Sequence, residues 1–566
     1  MLARRAPAAT AFLSRMEEPL LRLSPTDHWR IRDSYESVAI FGAVGSGKTS
    51  GSGRAIAHSY LKAGYGGLVL CAMPSERALW EQYAAECGRS NSVIVLDGSG
   101  KHRINFLDYE LSRSDTDQAK VFNAVRMLTH ILDAAAGKGG AETTEKDFWR
   151  DSMGQLFTNS IGFLSAAQGK VTLAEMMRFI NARPRHINDL GNPAWKAKSY
   201  WAQVARAAWE APARPLHDED YFAILDWWTD VFLSDDMRTS SNVVATVSSK
   251  LSPFLSGKMR EIFATHTTIV PELTHEGAII IVDLPITDWD EAGILAQQLF
   301  KYLWQRSVQR REIHDGTRPV FLYADECQYF MNPFDAKFQA IARQKRSSTV
   351  YITQNLPTFY DRIGSRHPEH TAHALLGNFQ TKIFHANTCK ETNHYAAELI
   401  GKGVIWRRNI GMGTNEGWQD GWNEGTTDGD SISVSSGSSR SFGTSSGINR
   451  SWGSGWSGSK QGWSWNDNYS YAENEGTNSS DSVNRGTSLS RNTGRSRGTS
   501  GGTSGGSSRN AGATETIDYH VQPAMFATLK NGGAANGKVV QGLLLQGGRV
   551  WEASKSVFLP CSFPQS

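Results

Sequence analysis

Cysteine is scarce and scattered in this chain. Cys71, Cys87, Cys327, Cys389 and Cys561 include no CxxC pair, which argues against a structural zinc site or a disulfide framework and suits a reducing cytoplasm. An excess of either charge is also missing. With 59 Lys+Arg against 56 Asp+Glu, there is no global basic field, so any nucleic-acid contact must be local. Long apolar runs are absent too. The best, "GAIIIVDL" at 277–284, has the length of a buried strand and falls short of the about 18 residues that a membrane helix needs. The opening "MLARRAPAATAFLSRMEEPLL" is interrupted by Arg15, Glu17 and Glu18, too broken for a signal-peptide core. A soluble, cytoplasmic chain without a transmembrane segment is expected.

At 566 residues the chain should hold two or three structural units. Residues 1–34 form a leading segment. From 35 to 111, short apolar runs ("ESVAIFGA", "GGLVLCAM", "SVIVLDG") alternate with helical stretches, the texture of βαβ units whose parallel strands are covered on both faces. Between 112 and 265 the pattern turns helical. Val121, Phe122, Val125, Leu128 and Leu132 mark one face, Trp149, Met153, Leu156, Phe157 and Leu164 another, and "TLAE" at 172–175 has capping-box spacing. Strand-like runs resume in 266–408 with "AIIIVDLP", "PVFLYADE" and "STVYITQN", and a helix is expected from Ala292 to Glu312. An α/β sheet is thus interrupted by an all-α domain. Residues 409–515 are a Gly/Ser/Thr/Asn-rich insert, and 516–566, with "VVQGLLLQGGRVWEA", read as a hairpin or strand returning to the α/β domain.

The strongest local signal is "GAVGSGKT": Gly42, Ala43, Val44, Gly45, Ser46, Gly47, Lys48 and Thr49 match G-x-x-x-x-G-K-[ST] where a strand meets a helix. Such a loop curls its backbone N–H groups around phosphates. Lys48 would reach the β and γ phosphates of ATP, and the Thr49 hydroxyl would ligate Mg²⁺. "PVFLYADE" supplies the acidic partner: Asp325 would hold Mg²⁺ and Glu326 would act as general base. Gln354, ending the next expected strand, is placed to touch the γ-phosphate or the attacking water. Arg343 and Arg346 in "ARQKRSS" are each candidates for a finger offered to a neighbouring subunit; a solvated helix end is the competing reading. No guanine-reading N-K-x-D segment follows.

The order of these parts resembles the type IV coupling ATPases (TraG/TraD type) of the HerA/FtsK superfamily of P-loop motors. "INFLD" at 104–108, "FW" at 148–149, "RTSSNV" at 238–243 and "LLGNFQTKIFHAN" extend the likeness over residues 35–400 and the tail. The resemblance implies a RecA-like fold and a homo-hexameric ATPase that moves DNA or a protein–DNA conjugate. It also implies protein partners at the all-α domain, and makes Arg343 the better match for the trans-acting arginine. The family's usual N-terminal anchor is not expected here, and the low-complexity insert lies outside the family pattern. An ATP-controlled assembly factor and a duplex-DNA pump are the rival functions.

The insert's own chemistry stays open. "SWGSGWSGSKQGWSWNDNYSYAENEG" (451–476) has four tryptophans and two tyrosines but no leucine, isoleucine or valine. Acids cluster early (Glu416, Asp420, Glu424, Asp428, Asp430), beside Trp418 and Trp422, whereas Arg485 to Arg509 holds five arginines and no acid. A solvated loop, a surface for single-stranded DNA or a protein partner, and ordered hairpins are the competing readings.

Overall fold

The computed structural model describes residues 12, 15–113, 117–135, 143–211, 216–233, 237–363, 367–425, 433–453, 468–488 and 496–565. They form two compact units, one of Met1–Ala396 with Pro523–Ser566 and the other of Ala397–Gln522.

In the first unit, β1 (Pro19–Arg22) and β2 (His28–Arg30) make a small antiparallel ribbon. The remaining strands build one nine-stranded sheet. They are β3 (Val38–Phe41), β4 (Gly66–Leu70), β5 (Val93–Asp97), β6 (Ile279–Asp283), β7 (Val320–Ala324), β8 (Ser347–Thr353) and β9 (Thr381–Phe384), which precede the second unit in sequence. After it come β14 (Val539–Gln546) and β15 (Phe558–Pro564). The order across the sheet is β15-β14-β9-β3-β8-β7-β4-β6-β5. From β9 to β5 all pairings are parallel, and β14 and β15 close one edge as an antiparallel hairpin. β3, β4, β7 and β8 are buried at every position, which explains their continuous apolar reading.

Helices cover the sheet and continue into the helical block. Asp117–Ala135, Thr143–Gln168, Leu173–Asn181 and Tyr200–Glu210 are four of its helices. Phe163, Phe179, Trp201 and Trp228 form an aromatic core in this block. Thr172 caps its helix as its spacing predicts, with Glu175 completing the box. One expected face is corrected in part: Leu128 and Leu132 are buried as expected, joined by Ala124, Met127 and Ile131, whereas Phe122 is 66% exposed. Two residues at about 100° each put Phe122 about 160° around the helix from Ala124, on the side opposite the buried stripe. A short helical turn from Ile286 is broken at Asp290 (φ 48°, ψ −138°), and the long helix expected from Ala292 follows that break and runs to Arg310. Gln297 on this helix accepts from the Cys71 N–H and donates to the Cys71 and Leu284 carbonyls, each at 2.9 Å, fixing the exits of β4 and β6.

The second unit contains an antiparallel sheet ordered β12-β11-β10-β13. β10 (Lys402–Gly425), β11 (Ser433–Gly453), β12 (Asn468–Ser488) and β13 (Ser496–Tyr519) run far longer than the strands of the first unit. β10 and β13 pair without a slip from Lys402↔Tyr519 to Gly425↔Ser496. Residues 454–467, which hold Trp456, Trp463 and Trp465, lie outside the described residues, as do the side chains on which the base-stacking reading depends.

Candidate active site

Strand order places the predicted motifs together. β8 is inserted between β3 and β7, so the loops leaving three adjacent parallel strands carry Lys48 and Thr49, Gln354, and Asp325 and Glu326. Ligand chemistry concentrates at such carboxyl ends in α/β sheets.

The loop from Gly42 to Thr49 turns sharply because Gly45 (φ 73°) and Gly47 (φ 80°) are left-handed, a conformation open to glycine without a Cβ clash. A wide turn at Thr49–Gly53 leads into the helix Arg54–Lys62. The Thr49 hydroxyl donates to an Asp325 carboxylate oxygen. Burial raises the Asp325 carboxyl above the ordinary range, opposed by the Thr49 hydrogen bond and the Lys48 cation. The other Asp325 oxygen accepts from the Glu326 backbone N–H at 2.9 Å.

Glu326 is itself left-handed (φ 46°, ψ 47°). This costs a non-glycine residue about 1–3 kcal/mol and occurs where surrounding contacts over-determine the backbone. The contacts are present: the Glu326 carboxylate lies 3.3 Å from Lys48 Nζ, accepts from Gln328 Nε2 at 2.7 Å and faces Gln354 Nε2 at 3.4 Å. Gln328 accepts in turn from the Thr353 hydroxyl at 3.0 Å. Asn387, beyond β9, donates to the Gln354 carbonyl at 2.8 Å. Lys48, Thr49, Asp325, Glu326 and Gln354 therefore form one connected cluster. Sequence reasoning missed Gln328, in "ECQY" without any motif to mark it, and assigned no role to Asn387 although it ends the quoted "LLGNFQTKIFHAN".

The two arginines separate. Arg346 is buried and donates to the carbonyls of Asp315 (2.9 Å) and Thr317 (3.1 Å), a structural clamp. Arg343 has a 70% exposed side chain and pairs with Glu36 at 3.0 Å. It precedes β8 whereas Gln354 follows it, and seven strand residues span about 23 Å. Arg343 therefore does not join the cluster of its own chain.

The C-terminal hairpin reaches the loop from the other side. Val540 packs on Gly47 and Gly51, where an added methyl would strike it. Gln565 Nε2 donates to the Ser50 hydroxyl at 2.7 Å. Buried His385 lies 2.7 Å from the Ser52 hydroxyl through Nε2 and 2.7 Å from the Gln541 carbonyl through Nδ1. Its pKa is pushed down to about 4 by burial and Lys48, against the Gln541 bond. The imidazole is neutral, donating to Gln541 and accepting from Ser52. None of these contacts carries a sequence signature.

A family model described as type IV secretory system conjugative DNA transfer matches residues 27–412, more than half of the chain. The chain belongs to this family. It is a coupling ATPase of the conjugation and type IV secretion class, and its mostly parallel α/β sheet is the RecA-like fold of that class. The bacterial conjugative coupling protein TrwBdeltaN70, in an unbound form, superposes with a TM-score of 0.51 at 12% identity, covering 98% of this chain and 90% of the other. The plasmid coupling protein TrwB in complex with a non-hydrolysable ATP analogue gives 0.50 at 11% identity with the same coverage. At these identities the likeness concerns the fold. No curated protein matches the chain. Among the described residues no helix is long and apolar enough to cross a membrane.

Proposed function

We propose that this conjugative-transfer family member hydrolyses ATP with Mg²⁺ to move DNA, single-stranded DNA in preference, or a protein–DNA conjugate, working as a homo-hexamer in the cytoplasm. The observation that carries the reading is the convergence of Lys48, Thr49, Asp325, Glu326 and Gln354 at the ends of three adjacent strands. The residues fit a nucleotide and its metal. The Ser46 hydroxyl is buried with no hydrogen-bond partner, inside a loop whose N–H groups suit phosphate oxygens. Among the described residues no group of three or more His, Cys, Asp or Glu forms a metal cage, and a P-loop requires none: Thr49 and Asp325 are the residues that would hold Mg²⁺.

Bound ATP and Mg²⁺ supply the anhydride bond and most of the charge neutralisation. Lys48 Nζ adds a positive charge where negative charge accumulates on the β and γ oxygens. Glu326 accepts the proton of the attacking water, its carboxylate aimed by Gln328 and by the left-handed backbone. Gln354, within reach of both Glu326 oxygens, orients that water. Arg343, remote from its own cluster and paired with Glu36, is assigned the role of the finger offered to a neighbouring subunit. Protein partners are assigned to the helical block and the residues 409–515.

The test is steady-state ATP hydrolysis with and without single- or double-stranded DNA, using Glu326→Gln as blank. Stimulation by single-stranded DNA is expected. Stimulation by duplex alone would replace the reading with a duplex pump. Hydrolysis indifferent to DNA would replace it with an assembly factor.

A further inference from the structure

The five-residue cluster accounts for one end of a nucleotide and leaves the other unassigned. β3 has two neighbours, β8 on the side of the acids and β9 on the side of the C-terminal hairpin. Lys48 Nζ points toward the acids, at Glu326. A triphosphate lying along the loop with its γ end at Lys48, Glu326 and Gln354 must extend its nucleoside away from them, toward the hairpin. There the chain presents a second polar, glycine-rich loop, "KNGGAANGK" at 530–538.

This loop is built against the first. The Asn531 carbonyl lies 3.2 Å from the position a Cβ on Gly47 would take. Gln565, besides donating to Ser50, accepts from the Gly533 N–H and donates its own N–H to the Lys538 carbonyl, each at 2.7 Å. Asn536 Nδ2 donates to Asn531 Oδ1 at 2.7 Å and to the Gly532 carbonyl at 3.0 Å. Gly532, Gly533, Gly537 and Lys538 are all left-handed, so the loop folds back on itself and leaves Asn531 exposed beside the P-loop.

We propose that this C-terminal loop is the nucleoside-binding wall of the site, with Asn531 and Asn536 contacting ribose hydroxyls and the base edge and Gln565 positioning them. The proposal rests on the reading of Gly42–Thr49 as the phosphate loop. Side-chain amides suit the task because they both donate and accept, matching hydroxyls and the mixed edge of a purine. None of the three touches the acids, so their contribution should be confined to binding.

The experiment is calorimetric titration of the full chain with a non-hydrolysable ATP analogue and, separately, with inorganic tripolyphosphate, each with Mg²⁺. Tripolyphosphate has the phosphates without the nucleoside. Asn531→Ala and Gln565→Ala should each weaken the ATP analogue about tenfold, the worth of a hydrogen bond or two, and leave tripolyphosphate unchanged. Two variants guard against one that fails to fold. Equal weakening of both ligands, or no weakening of either, would overturn the proposal. Lys48→Ala tests the underlying reading separately, since it should lose both ligands; if it loses neither, the phosphate loop itself is misassigned.

Discussion

Replacing Glu326 by glutamine should uncouple binding from turnover in opposite directions. The carboxylate engages Lys48 at 3.3 Å with both side chains mostly buried. At that distance and an effective dielectric constant of about 20, the Coulomb attraction is about 5 kcal/mol, and desolvation offsets most of it, leaving a net of about 1–2 kcal/mol. That pairing competes with phosphate for Lys48. Glu326→Gln keeps the shape and an acceptor for Gln328, removes the competing charge, and should tighten binding of Mg·ATP by about 5- to 30-fold. If Glu326 is the proton acceptor proposed above, the same change should slow hydrolysis by about 10²- to 10⁴-fold. Equilibrium titration and single-turnover hydrolysis on one preparation give both numbers. Weaker binding would show that Glu326 does not restrain Lys48, and undiminished turnover would show that it is not the base.

Burial of neutral His385 makes the P-loop helix acid-sensitive. Its pKa is near 4 when folded, below the value of about 6.5 for an exposed histidine, so between these values the unfolded chain binds a proton that the folded chain does not. Stability present above pH 6.5 should fall by about 3 kcal/mol as pH drops toward 4, and denaturant titrations of His385→Gln should show a shallower decline. Lys301 and Asp335 are fully buried partners at 2.6 Å; Lys301→Met should cost about 3–5 kcal/mol by the same assay. Arg343→Ala should bind ATP normally and turn it over slowly, and mixing it with Lys48→Ala should restore part of the activity if the arginine serves a neighbouring site. Met412 and Arg509 are directly paired, so joining them by an Asn-Gly turn should leave ATP hydrolysis unchanged in a soluble product.

The P-loop, the acidic doublet, the parallel texture of the sheet and the Thr172 cap were legible because each has a local cause: glycine freedom, continuous apolar strands, a reciprocal hydrogen bond. What brings Lys48 to Glu326 was not. Placing β8 between β3 and β7 depends on β8 pairing with β3, as in Val38↔Val350, and no short window contains both strands. Gln328, Asn387 and His385 act through contacts made only after that order is set. Arg343 and Arg346 stand three residues apart in "ARQKRSS", and only their burial and partners, a salt bridge to Glu36 against a clamp on backbone carbonyls, tell their local roles apart. Phe122 marks a limit of reading apolar residues as core, since its ring stands on the helix side opposite the buried stripe.

Ser50 and Gln565 are separated by 515 positions and are hydrogen-bonded. During synthesis at about 5–20 residues per second, the phosphate loop emerges about 25–100 s before the last strand that packs on it. Until then Gly47 and Gly51 lack Val540, and the sheet edge at β9 lacks its antiparallel partner. A ribosome-bound chain would thus carry the full catalytic motif and an incomplete wall around it. If the C-terminal loop is the nucleoside wall, premature termination anywhere in the glycine-rich sheet would leave a chain with the phosphate loop but without the wall, and full-length subunits would outcompete it for ATP.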